Sequence, residues 1–212
     1  MDIPHFTLRT LAPADADRVA EFLEPILFEI PLFAWLAGNA ADDEWRRWIV
    51  DLQLVEAIAG GHVHAAEADG ELVGLAIWTP PGWVSAGLPD DFRDRAVELL
   101  GTRPDALARL AEMNRITADH ELASGDACVH LAALAPGRRG ARVLEALVAP
   151  AFDAAHTAGV GVSTMTSVPA FTAHLAARFD AQQVDEFMVA DSPVWIYRWP
   201  GGELLTLSKD LR

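Results

Sequence analysis

An arginine-rich loop that opens a helix is the segment of this chain best suited to chemistry. Residues 129–159 run as an apolar strand, a Pro-Gly turn, the loop and a helix that ends at Gly159. Free backbone N–H groups at a helix start attract anions, and Arg138, Arg139 and Arg142 form the densest basic cluster. Cations at this end oppose the helix dipole, so the cluster calls for an explanation. Two explanations remain open: the arginines belong to a phosphate-binding loop, or they lie in a solvated helix start.

Histidines on two predicted strands supply groups that exchange protons near neutral pH. His62 and His64 are two residues apart, so in a strand they share one face and can act together, while Glu67 belongs to the other face. His130 lies on the central apolar strand. Paired histidines also suit a metal, but without an acidic or cysteine partner at a recognisable spacing we predict no metal site. Polar residues on the outer side of a half-exposed strand explain the pair at least as well.

Composition and charge disfavour several classes of protein. The 212 residues carry a formal net charge of −15, so we expect neither nucleic acid nor a membrane as partner, because both are bound mainly through lysine and arginine. The single cysteine, Cys128, excludes an internal disulfide and is best explained as a small buried hydrophobe. The N-terminus lacks the basic start and apolar core of a signal peptide, which predicts a cytoplasmic protein. Walker loops, Gly-x-Gly-x-x-Gly and Gly-x-Ser-x-Gly sequences are absent.

The elements that position these residues follow from hydrophobic spacing and from glycine and proline. Asp69-Gly70 between two alternating runs predicts a hairpin over residues 62–79. Apolar residues between 32 and 36 are expected against the core or over a pocket mouth. The other predicted strands are 5–10, 129–136, 160–166, 183–190 and 193–199, and the predicted helices are 14–29, 41–59, one or two within 90–118, the helix after the arginine loop, and 169–178.

This order of elements contains no repeat and no linker that would mark a second domain. Strands alternate with helices in the second half of the chain, while a hairpin lies in the first half. We therefore predict one mixed α/β (α+β) domain over residues 1–212, with a mixed central sheet flanked by helices.

With these residues in place, the chain resembles the GCN5-related N-acetyltransferase (GNAT) superfamily, and one bacterial branch in particular. The resemblance covers nearly the whole chain. It rests on three segments: GLAIWTPPG at 74–82, VHLAALAP at 129–136 and VWIYRW at 194–199. Leu147, Pro150 and Gly159 also fall where the family's central helix has Leu, Pro and its terminal Gly.

The resemblance implies acetyl transfer from acetyl-CoA to an amine, directly within a ternary complex. The backbone at Leu134 would hold the acetyl thioester, and the arginine loop would meet the pyrophosphate. Arg142 and Leu144 occupy two positions at which the family has small residues. The Arg142 side chain either blocks the pyrophosphate or bends away and pairs with it. The implied cofactor-binding residues are Leu134, Arg138, Arg139, Gly140, Ala141, Arg142, Val143 and Leu144.

Proton transfer is the second departure from the family. The family's usual acid, a tyrosine, falls on His174 or Leu175, and an imidazolium at His174 is a chemically sensible substitute. The other interpretation places His174 on an exposed helical turn. His64 and His130 are the candidate bases for the incoming amine.

The resemblance leaves the partners and the present activity open. The acceptor would be an amine-bearing small molecule or protein. Apolar last strands either pair across a homodimer or fill one core. The competing functions are a catalytically silent binding or scaffold protein, and a GNAT fold reused for non-acetyl chemistry.

Overall fold

The fold is built around one seven-stranded sheet. The computed structural model describes residues 6–38, 42–120, 122, 125–137, 141–172, 175 and 180–201. Its strands are β1 (Thr7–Thr10), β2 (Val63–Ala68), β3 (Glu71–Thr79), β4 (Ala127–Leu134), β5 (Val162–Thr166), β6 (Gln182–Val189) and β7 (Ser192–Trp199). They lie in the order β1-β2-β3-β4-β5-β7-β6, and every neighbouring pair is antiparallel except β4 and β5, which are parallel. The predicted mixed sheet is confirmed.

Helices cover both faces of this sheet. They are α1 (Ala16–Leu27), α2 (Pro31–Ala37), α3 (Asp43–Ala59), α4 (Asp90–Gly101), α5 (Pro104–Thr117) and α6 (Ala141–Ala158). Leu23 of α1 and Ile49 of α3 are fully buried in one core, which also takes in Leu75 of β3. Leu147 of α6 is fully buried in a second core on the opposite face. The mixed α/β class with flanking helices is therefore confirmed.

The hairpin and the long helix before it form where the sequence predicts them. Asp69 and Gly70 have φ angles of 54° and 81°, the left-handed pair that a two-residue turn between twisted strands requires. The Asp42 carboxylate caps α3 by accepting the Trp45 backbone N–H at 3.1 Å. Helix α3 ends where Gly61 takes a φ of 73°. Local sequence alone therefore fixes this part of the fold.

Other elements refine the predicted boundaries. Residues 90–118 form the two helices α4 and α5, which are separated by Thr102 and Arg103. The apolar segment around 32–36 is the short helix α2, which begins at Pro31 because proline suits a first helical turn. Within the predicted helix 169–178, the described positions 169–172 and 175 are helical. In the described part of the chain, no helix has both the length and the apolar character that a membrane span needs.

Candidate functional site

The parallel strands β4 and β5 separate part-way along their length. They pair only from Ala127 to Val129 and from Val162 to Thr164. Beyond this point β5 continues against β7, and β4 continues against β3. The Thr164 hydroxyl donates to the Val129 carbonyl oxygen at 2.7 Å, at the position where the strands part. In the described structure, residues 130–134 therefore have no strand partner on the β5 side, and their backbone groups face the gap.

A cleft of about 740 Å³ fills this gap and reaches both faces of the sheet. On the side of α1, α2 and α3 it is lined by Ile26, Glu29, Ile30, Leu32, Phe33 and Gln53, and on the side of α6 by Leu144, Val148, Phe152, Phe171, Leu175 and Trp199. The volume is in the range of small-molecule sites, which are roughly 300–1,000 Å³. Two reactants can therefore enter from opposite faces and meet between the strands.

A β-bulge at His130 lies at the edge of the cleft. Ile77 of β3 pairs with Leu131, but the next residue, Trp78, pairs with Val129, so His130 is the extra residue of β4. Val129 belongs to the core beneath α6, whereas Leu131 belongs to the core beneath α1 and α3. The bulge thus reverses the inward face of β4 in the middle of the strand and directs the His130 side chain to the cleft.

The surroundings of His130 suit a general base. Its Nε2 atom lies 2.9 Å from the Thr79 hydroxyl. The surrounding protein lowers the pKa of His130, because the imidazolium form is less well hydrated there than in water. The residue is nonetheless exposed toward the cleft. A neutral imidazole that a ligand can reach is able to accept a proton near pH 7.

The other histidines of the sequence analysis lie elsewhere on the sheet. His62 and His64 share a face, as strand alternation predicts, and both rings meet Trp78 edge-on, with centroids 5.4 and 5.7 Å away. Burial lowers the pKa of both, and the charge of His62 lowers that of His64 further. Trp78 belongs to the core beneath α6. The structure therefore pairs His64 with His62 against a tryptophan and brings His130 alone of these three to the cleft lining.

A buried carboxylate closes the paired end of the two strands. Asp126, just before β4, accepts hydrogen bonds from the Gly161 N–H at 3.0 Å and from the Ser163 hydroxyl at 2.7 Å. It also accepts from Nε and Nη2 of Arg198 at 2.7 and 3.0 Å. Burial would raise the pKa of Asp126, but the hydrogen bonds from Arg198, Ser163 and Gly161 outweigh it and the pKa is lowered. The ionised carboxylate thus joins β4, β5 and β7.

The first turn of α6 lies beside the part of the cleft that is on the α6 face of the sheet. Helix α6 begins at Ala141, and Arg142 is exposed in its first turn. Val143 and Leu144 are buried in the core beneath α6, so these two side chains do not project from the helix start. Leu134 lines the cleft together with Leu144. Arg138, Arg139 and Gly140 lie outside the described residues, and so does His174.

Two polar residues of the site were missed by sequence analysis. Thr79 is the last residue of β3 and meets His130 across the sheet. Ser167 is 3% exposed, lines the cleft and accepts the Leu32 backbone N–H at 3.3 Å, which ties α2 to the end of β5. Their partners are 51 and 135 residues away in the chain, so no local pattern marks them. The only signal is their position at strand ends, where polar residues of sheets often meet.

Comparison with known proteins supports the fold. No protein-family model matches the chain, and no curated protein matches it. Solved structures do: a polyamine N-acetyltransferase from Drosophila melanogaster that catalyses the formation of N-acetylagmatine has 13% identity, covers 92% of this chain and 100% of its own, and has a TM-score of 0.63. An agmatine N-acetyltransferase mutant in its apo form has 14% identity, the same coverage and a TM-score of 0.65. A mosquito arylalkylamine N-acetyltransferase-like protein has 16% identity, the same coverage and a TM-score of 0.54. The chain therefore has the fold of the GCN5-related N-acetyltransferases.

Proposed function

We propose that this protein is an N-acetyltransferase that moves an acetyl group from acetyl-CoA to the amine of a small molecule or a protein. The observation that carries the proposal is the cleft through the sheet, which opens on both faces where β4 and β5 part. Such a cleft lets a donor and an acceptor meet in one ternary complex, so no covalent intermediate on the protein is required. The solved structures named above are, by their own descriptions, a polyamine N-acetyltransferase, an agmatine N-acetyltransferase and an arylalkylamine N-acetyltransferase-like protein.

The donor side of the cleft fits acetyl-CoA. The unpaired edge of β4 up to Leu134 offers backbone N–H and C=O groups to an extended pantetheine arm. The first-turn N–H groups of α6 and the exposed Arg142 guanidinium suit the pyrophosphate. When bound, acetyl-CoA supplies an activated thioester. By the resemblance, Arg138, Arg139 and Gly140 complete the phosphate loop.

His130 is the proposed base for the acceptor. A protonated amine cannot attack, so His130 takes a proton from the incoming ammonium group. The amine nitrogen then bonds to the acetyl carbon and loses its second proton to water, the carbon–sulfur bond breaks, and sulfur leaves as a thiol with a proton from an acid, for which His174 is the candidate. An Nε2–H that donates to the Thr79 hydroxyl leaves the lone pair on Nδ1 for the amine. Thr79 is thus a positioning residue.

The test combines calorimetry with a thiol-release assay. We expect micromolar acetyl-CoA binding by the native chain and weaker binding by Arg142→Gly, because a cation paired with phosphate is lost. In kcat/KM against pH, we expect an acid limb below about pH 6.5, since the pKa of His130 is lowered from that value. His130→Gln should remove this limb and slow turnover by roughly 10²- to 10⁴-fold.

Matched variants separate the roles. Thr79→Val should lower kcat and shift the acid limb, whereas Thr79→Ser should restore both, because only the hydroxyl holds the imidazole tautomer. His156→Gln on the exposed last turn of α6 is the control and should leave both unchanged. If His64→Gln rather than His130→Gln removes the limb, the assignment of the base is wrong.

The first turn of α6 also supports a second candidate, a protein that keeps the fold without using acetyl-CoA. Arg142 and Leu144 replace residues that are small in the family that the chain resembles. The same calorimetry discriminates between the two candidates. Absence of acetyl-CoA binding by the native chain, with binding restored in Arg142→Gly, would favour a binding protein or an enzyme with non-acetyl chemistry.

A further inference from the structure

The acceptor half of the cleft has an apolar wall, and we infer from it the class of amine that the protein takes. We propose that the acceptor is a primary amine with one charge and an apolar aryl or alkyl body, and not a polyamine or a guanidine-ended amine. This inference rests on the proposed function, because it concerns the same cleft.

The lining residues carry the argument. On the side of α1, α2 and α3, four apolar residues line the cleft, Ile26, Ile30, Leu32 and Phe33, and two polar residues, Glu29 and Gln53, line it beside them. Among the described residues that line the cleft, Glu29 alone has a carboxylate, and Glu29 is exposed. The one carboxylate of the described lining therefore belongs to an exposed residue, whereas the four apolar residues are partly buried.

An apolar wall discriminates strongly between amines of similar length. Agmatine and polyamines carry a second cationic group that must be paired when it leaves water, and isoleucine, leucine and phenylalanine side chains offer no partner for it. An aryl ring instead gains from burial against Phe33, which is partly exposed and able to stack with it. The reacting nitrogen then lies toward His130, which lines the same cleft.

A hydrogen bond fixes the position of the apolar wall relative to the sheet. Helix α2 carries Leu32 and Phe33, and the Leu32 backbone N–H donates to the Ser167 hydroxyl at 3.3 Å. Ser167 follows β5 directly and is buried. The acceptor wall is therefore attached to the end of β5, which lies across the gap from the β4 edge proposed to hold the donor, so a body held by Phe33 is placed relative to the acetyl group.

The experiment compares amines on the full chain. With acetyl-CoA, kcat/KM is measured for phenethylamine and hexylamine against agmatine and spermidine. We expect at least a 10-fold preference for the apolar amines. Phe33→Ala should lower kcat/KM for phenethylamine by roughly 10- to 100-fold and change that for agmatine much less, since pocket contacts of this size discriminate by about that factor. Phe33→Leu, which keeps apolar volume, is the conservative control.

Failure of this inference is distinguishable from failure of the proposed function. Turnover that favours agmatine or spermidine would overturn the acceptor class while supporting acetyl transfer. Without turnover of any amine, calorimetry of phenethylamine and agmatine on the protein alone decides the matter. Tighter binding of phenethylamine, lost in Phe33→Ala, would support the apolar wall as an amine site, whereas equal or tighter binding of agmatine would overturn it. Thermal denaturation of each variant shows that it is folded.

Discussion

Replacing Asp126 with asparagine tests whether a single carboxylate holds together the paired end of β4 and β5. Its side chain is 3% exposed and accepts four hydrogen bonds from Gly161, Ser163 and Arg198. Asparagine keeps the shape of the side chain but removes its charge. Its NH₂ group replaces one carboxylate oxygen, so a hydrogen-bond donor then faces other donors. At least one charge-assisted bond from Arg198 is lost, and the Arg198 cation keeps no ionised partner there.

The expected loss of stability follows from these contacts. One hydrogen bond to a charged group contributes about 1.5–3 kcal/mol, and breaking a fully buried ion pair costs about 3–5 kcal/mol. The Arg198 side chain is 37% exposed, so water compensates part of this cost. We therefore expect Asp126→Asn to lower the free energy of unfolding by about 3 kcal/mol. For a chain of this length that corresponds to a fall in Tm of roughly 6–12 °C.

Urea denaturation near neutral pH measures this loss, and a double-mutant cycle with Arg198→Gln assigns it. We expect a coupling energy of about 1.5–3 kcal/mol between the two side chains. Ser163→Ala is the matched control, since it removes one neutral donor and should lower stability by about 1 kcal/mol.

The pH dependence has a definite sign. The pKa of folded Asp126 lies below its unfolded value of about 3.9, so its contribution is complete above that pH. As the pH falls through the lowered pKa, the folded protein takes up the proton and the contribution is lost. The stability difference between the native chain and Asp126→Asn should therefore shrink below about pH 4. A loss under about 1 kcal/mol at neutral pH, or a coupling energy near zero, would refute this account of the network.

Two further predictions concern close packing and a surface ion cluster. A methyl group at Gly161 would lie 2.8 Å from the Trp199 carbonyl oxygen, so Gly161→Ala should destabilise by about 1–3 kcal/mol. Gly101→Ala, at the open end of α4, is the control and should be neutral or slightly stabilising in thermal denaturation; equal losses would contradict the close approach. Glu67 accepts from Arg9 at 3.1 Å and from Arg18 at 2.6 Å, so Glu67→Gln should lose about 1 kcal/mol in urea. High salt should reduce that loss, and a loss that salt leaves unchanged would argue against an ionic origin.

Much of the fold could be predicted from local patterns. The Asp69-Gly70 turn, the glycine stop after α3 and the proline start of α2 each depend on backbone preferences of the residues themselves. The order of strands and helices then identifies the fold class. The region 90–118, for which the sequence predicts one or two helices, forms two, and the break between them falls between Gly101 and Pro104, which disfavour a continuous helix.

The candidate site was predictable only in part. The apolar strand that carries His130 is visible in the sequence. The bulge that turns the side chain to the cleft is not, because it depends on how β4 pairs with β3. Its hydrogen-bond partner Thr79 is 51 residues away in the chain. His64 was named for the same chemical reason, yet its ring meets Trp78, which alternation along one strand does not reveal. Asp126 was not named at all, because its three partners come from two other strands and a loop.

The bulge in β4 also bears on how the two sides of the cleft can change independently. Val129 and Leu131 are two residues apart, so in a regular strand both side chains would point to the same face of the sheet and pack in the same core. Here they belong to separate cores, one beneath α6 and one beneath α1 and α3. Substitutions that reshape the cleft on one face of the sheet therefore do not disturb the core packing on the other face. If the proposed function holds, acceptor choice can therefore drift, or be redesigned, while the donor half keeps its architecture.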